Sequence, residues 1–132
     1  MLTIVMGILF VLHGLVHLLY VGQSQRLFEL RPKMVWPDGS WVFSKLLGDE
    51  FTRLLASISL VLAALGFLVG GVGLAIQQPW WRPVIVGSAT FSILLFFLLW
   101  DGKLQALDDK GGVGILINLA ILVVVLILKW PI

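Results

Sequence analysis

The feature that most limits what this chain can fold into is its N-terminal stretch. Leu2 to Val21, LTIVMGILFVLHGLVHLLYV, contains no Asp, Glu, Lys or Arg. As a helix it extends roughly 30 Å, the hydrocarbon thickness of a bilayer. No Lys or Arg precedes its apolar core and no small-x-small cleavage site follows, so it reads as a retained transmembrane helix and not as a removable leader. The rest of the chain agrees. Of 132 residues, 60% are hydrophobic and 12% charged, more apolar surface than a soluble domain of this size can bury.

Three further apolar runs follow, at about 54–76, 84–100 and 113–130. The connection 22–50 is long and mixed in charge, a length that often has structure or function of its own. Within it Pro37-Asp38-Gly39 is a turn signal, and Ser40 is placed to cap a short helix 41–47 ending at Gly48. Asp49 is expected to cap the second long helix. In that helix Ser59, Ala63, Gly66, Gly70 and Gly73 recur at spacings of three and four, so they share a face. Small residues let a neighbouring helix approach closely, and this face is assigned to helix packing.

Four spans put both termini on one side. Arg26, Arg31, Lys33, Lys45, Arg53, Lys103 and Lys110 fall on the opposite side, against Arg82 and Lys129. Seven cations against two place the long connection in the cytoplasm and both termini outside it. All seven acidic residues share the cytoplasmic side. Trp80, Trp81 and Trp130 are expected at the outer boundary and Trp100 at the inner one.

The absence of cysteine removes thiolate chemistry, iron–sulfur clusters and disulfides. A net charge of +2 without a basic stripe gives no case for nucleic acid. No phosphate-cradling glycine loop, nucleophile elbow or HExxH motif is present, so the chain reads as non-enzymatic. The chemistry that remains lies with His13 and His17, about 40° apart on the first helix, with Tyr20 on the same side. Polar residues at such depth face a bundle interior or a water-filled cavity. Four readings compete. Each imidazole bonds a partner across the bundle, such as Ser57, Ser92 or Asn118. The pair binds a divalent metal with a third ligand such as Glu50. One histidine ligates a haem or a chlorophyll-type pigment. Or the pair, with Tyr20, handles protons or a quinone.

The segment FVLHGLVHLL, residues 10–19, resembles the first helix of the DoxX-like group of small four-helix bacterial membrane proteins, with His13 and Gly14 on the matching His-Gly-Leu. Four spans, a long first connection and a Gly- and Ala-rich second helix are similar too, whereas the early Arg common in that group is missing. The resemblance implies a bacterial inner membrane and, for some members, association with oxidoreductase complexes.

These readings combine into an all-α, single-domain chain. It is expected to be an integral membrane antiparallel four-helix bundle with spans at about 2–21, 54–76, 84–100 and 113–130 and a surface-lying loop 22–50. The expected partners are the lipid bilayer and other membrane subunits or further copies of the chain. The expected role is a non-catalytic subunit of a larger membrane complex, with electron transfer as the leading context. The alternatives are a redox or quinone-linked protein using His13 and His17, and a small-molecule carrier.

Overall fold

The computed structural model describes residues 1–30, 34, 36–102 and 112–130. Among these the secondary structure is entirely helical: α1 Leu2–Ser24, α2 Phe43–Ala75, α3 Trp81–Leu99 and α4 Gly112–Leu122, which runs on as a π-helical turn Val123–Ile127. Helices α1, α2 and α3 are each long and apolar enough to cross a membrane, which makes this a multi-pass membrane protein.

The helix ends follow from local chemistry. After α1, Arg26 adopts a left-handed φ of 61°, and the N–H groups of Arg26 and Leu27 donate to the carbonyls of Gln23 and Gly22. Gln77 does the same after α2, bonding back to Leu74 while Gln78 bonds to Gly73. Both are the reversed pair of bonds that closes a helix, built here without glycine. Gly48, at φ 82° and ψ 164°, breaks α2 into a short N-terminal leg and the long span. Ser40 Oγ accepts the Phe43 N–H at 3.2 Å and so caps the leg. Asp49 does not cap the span, contrary to expectation. Its Oδ1 accepts the Gly39 N–H at 2.9 Å instead, which ties the Pro37–Gly39 turn to the break.

The core has two apolar layers. One holds Phe10, Phe67, Leu74, Trp81, Ile85, Ala89, Ile121 and Val125, with contributions from all four helices. The other holds Tyr20, Ala56, Leu60, Leu95, Phe96 and Leu99 together with Met34 and Trp36 of the first connection. Helix α1 meets α2 backbone to backbone. A Cβ placed on Gly7 would lie 2.6 Å from the Gly71 carbonyl oxygen, and one placed on Gly71 would lie 2.6 Å from that of Gly7. Without side chains at these positions the helices pack at van der Waals contact, the association available where lipid supplies no hydrophobic drive.

The connection 22–50 is only partly exposed, because Met34, Trp36, Pro37 and Ser40 are buried. It caps the end of α3, whose last carbonyls have no partner within the helix. Ser40 Oγ donates to the Leu98 carbonyl at 2.6 Å, Trp41 Nε1 to that of Phe97 at 2.9 Å, and the Trp41 N–H to that of Trp100 at 2.8 Å. The fourth apolar helix is Gly112–Ile127, shorter than the expected 113–130. Lys129, at φ 55°, turns the chain out of the helix, and the Trp130 N–H folds back to the Val124 carbonyl. Trp81, the first residue of α3, turns inward: only 3% exposed, it stacks on Phe10 inside the first layer.

Candidate functional site

Between the two apolar layers lies a polar cluster drawn from three helices. α1 brings His13 and His17, one turn apart, onto its inner face. α3 contributes Ser92 and α4 contributes Asn118. His17, Ser92 and Asn118 are buried and His13 is half-buried. His13 Nε2 lies 2.8 Å from Asn118 Oδ1, and Asn118 Nδ2 donates to Ser92 Oγ at 2.9 Å. Ser92 Oγ is 2.7 Å from His17 Nε2, and His17 Nδ1 is 3.0 Å from the His13 carbonyl oxygen. The bonds form a loop that returns to the residue where it began.

Aromatic rings surround the loop. Phe67, fully buried on α2, meets His13 edge-on with centroids 4.8 Å apart and lies tilted against His17 at 5.3 Å. Phe96 covers the other side of His17 at 5.8 Å. The rings exclude water and enforce direct pairing, since an unpaired polar group in such surroundings is costly. Ser92 and Asn118 are among the partners named from the sequence. Ser57 lies elsewhere, its Oγ 3.0 Å from Ser24 Oγ and 2.8 Å from the Arg53 carbonyl oxygen.

The other predicted site residues are placed apart. Tyr20 is buried one turn beyond His17, edge-on to Phe96 at 5.0 Å and to Trp36 at 5.5 Å. Glu50 is exposed at the start of the long span and does not join the histidines. Among the described residues no three His, Asp or Glu side chains gather as a metal site requires. Both ring nitrogens of His17 and Nε2 of His13 are occupied by hydrogen bonds within the interior. His17 therefore has no lone pair left for a ligand, and His13 keeps Nδ1 alone, so the two histidines together do not fit a metal.

The small residues of α2 divide between two neighbours. A Cβ on Gly66 would meet Ser88, one on Gly70 would meet Ile85, and one on Gly73 would meet Trp80, all at the α3 side. Ala63 is buried and Ser59 half-buried. The contact with α1 instead runs through Gly7 against Gly71 and Gly14 against Phe67 and Ala64, none of which belongs to the face picked out from the sequence. The spacing of seven between Gly7 and Gly14, two full turns, is the signal that finds it.

Gln23 carries no obvious signal, yet it holds the first connection to α1. It is fully buried, donates from Nε2 to the carbonyls of Met34 and Trp36 at 3.1 Å, and accepts the Leu30 N–H at 2.8 Å. Trp36 is 1% exposed, and among the described residues its indole N–H has no acceptor. The chain matches no protein-family model, no curated protein and no solved structure.

Proposed function

We propose that this chain is a non-catalytic subunit of a larger assembly in a bacterial inner membrane. In this reading it is an antiparallel four-helix transmembrane bundle with both termini outside the cytoplasm. The observation that carries the reading is the closed polar loop. His13, His17, Ser92 and Asn118 bond one another, so the deepest chemistry in the chain goes into joining α1, α3 and α4. What is left for function is the outer surface.

Helix α4 is the least buried of the four. Only Asn118, Ile121 and Val125 are buried, while Leu116, Leu119, Leu126 and Ile127 face outward. At 16 residues it reaches about 24 Å, short of the hydrocarbon thickness, and a short span favours association with neighbouring helices. The likeness of residues 10–19 to DoxX-like proteins supports an oxidoreductase complex as the setting. The test is photo-crosslinking in native membranes from Leu119 and Leu126, with Leu12 of α1 as a control. The expected result is one discrete product specific to the α4 positions. Equal, diffuse labelling from all three would refute the proposal.

A second reading is supported by Trp36. A buried indole N–H without an acceptor among the described residues, edge to Tyr20, suits the carbonyl oxygen of a small redox ligand such as a quinone. Organic extraction of the purified protein tests it. A quinone retained by the parent and lost in Trp36→Phe supports this reading, and its absence from the parent removes it.

A further inference from the structure

Where α1 stops and the long span of α2 begins, a cleft of about 470 Å³ is lined by Arg26, Arg53, Glu50, Phe51 and Leu54. Its two arginines are held by one carboxylate. Arg26 Nη2 lies 2.9 Å from Asp38 Oδ2, and Arg53 Nη1 lies 2.8 Å from Asp38 Oδ1. Arg26 Nη1 also donates to the carbonyls of Gln23 and Trp36, at 3.1 and 3.0 Å. Ser24 Oγ donates to the Arg53 carbonyl at 2.8 Å, which locks the two helix ends together. The guanidiniums are therefore fixed in place before any ligand arrives, yet both side chains remain about one-third exposed, at 35% and 29%.

Among the described residues Arg53 bonds through Nη1 alone, so its remaining donors are available to the cleft. A planar guanidinium with donors to give is matched to phosphate oxygens. In the same lining, beside Arg53 on α2, Phe51 and Leu54 are 64% and 51% exposed, at the point where the apolar run of α2 starts. The lining thus changes from cationic to apolar across one cleft, as a lipid does from phosphate to acyl chain. Glu50 sits at the same rim with its carboxylate exposed. A wholly anionic headgroup would meet repulsion there. A headgroup with an ammonium beside its phosphate would not.

We infer that this cleft binds a glycerophospholipid whose headgroup carries a phosphodiester and a primary ammonium, the phosphate on Arg53 and Arg26 and the ammonium on Glu50. The inference needs only that the protein is embedded in a membrane, and it stands independently of the subunit proposal. A primary ammonium donates hydrogen bonds to a carboxylate, whereas a trimethylammonium cannot.

The experiment is native mass spectrometry of the full chain in detergent, with equal amounts of phosphatidylethanolamine, phosphatidylcholine and phosphatidylglycerol. The expected order puts phosphatidylethanolamine first, by about threefold over phosphatidylcholine, the scale of one exposed ion pair. Glu50→Gln, at an exposed position, should bring that ratio to about one while the protein stays folded. Arg53→Gln should lower retention of both lipids about fivefold. Preference for phosphatidylglycerol in the parent, or an unchanged ratio in Glu50→Gln, would overturn the assignment. Equal displacement by soluble glycerophosphoethanolamine would overturn the lipid as the source.

Discussion

If the polar loop holds α4 to the bundle, breaking it at Asn118 must cost a measurable amount. Asn118→Leu nearly preserves volume, so it adds little cavity or overpacking penalty. It removes the bond to His13 Nε2 at 2.8 Å and the bond to Ser92 Oγ at 2.9 Å. Interhelical hydrogen bonds in membranes average about 0.6 kcal/mol and reach about 1.7 kcal/mol. Two of them give a loss between about 1.2 and 3.4 kcal/mol. The upper part of that range is expected here, because His13 Nε2 loses its partner beside the apolar ring of Phe67. The assay is reversible SDS unfolding in mixed micelles, with His13→Leu and the double variant completing a cycle. Since the two side chains bond each other, the double variant should lose less than the sum of the singles, by about 0.6–1.7 kcal/mol. Additivity within about 0.3 kcal/mol would refute the pairing. So would Asn118→Leu unfolding like the parent.

The same assay separates the glycines. Gly71→Ala drives a methyl into the Gly7 carbonyl and should destabilise by about 1–3 kcal/mol, whereas Gly87→Ala meets nothing within 4 Å and should be neutral or slightly stabilising. Equal effects at the two positions would contradict the close α1–α2 approach. Trp36→Ala should lose about 3–5 kcal/mol from the second core layer, while Trp36→Phe keeps much of the ring and deletes the orphan N–H, so its loss should be under half of that. For topology, a reporter fused to the C-terminus should be active only outside the cytoplasm, as the seven-to-two split of Lys and Arg requires. Activity inside would reverse the assignment.

The first three spans were readable because each is a run of apolar residues, and hydropathy needs no knowledge of neighbours. The partners of a helix face are harder. Gly70 and Gly71 are adjacent in sequence but about 100° apart around α2, so they serve α3 and α1 respectively. A single small-residue stripe therefore describes only one of two contacts. The connection 22–50 resisted reading for a different reason. Its burial depends on α3 carbonyls that need donors and on Gln23, a residue whose type gives no hint that it is fully enclosed. Of the polar loop, the histidines stood out as deep polar residues in an uncharged run. That Ser92 and Asn118 join them, and Ser57 does not, follows from how the helices are rotated.

The direction of the polar loop can be derived from a single fixed point. The His13 carbonyl oxygen only accepts, so His17 Nδ1 must carry a proton to bond it at 3.0 Å. In a neutral ring Nε2 is then an acceptor, and Ser92 Oγ must donate to it. Ser92 Oγ in turn accepts from Asn118 Nδ2, which leaves Asn118 Oδ1 to accept from His13 Nε2. Every position follows, and the two imidazoles end in opposite tautomers: Nδ1–H at His17 and Nε2–H at His13. The reverse order would need protons on both nitrogens of His17, a cation with no carboxylate among its bonded partners. Solid-state NMR of the protein in lipid, with ¹⁵N-labelled histidine, reads the tautomers directly from the shifts of the protonated and bare nitrogens. One Nδ1–H ring and one Nε2–H ring are expected, and Ser92→Ala should perturb the first. Two Nε2–H rings would break the bond to the His13 carbonyl and with it the closed loop. A doubly protonated His17 would keep the geometry but reverse the order, turning a structural clasp into a site that takes up a proton.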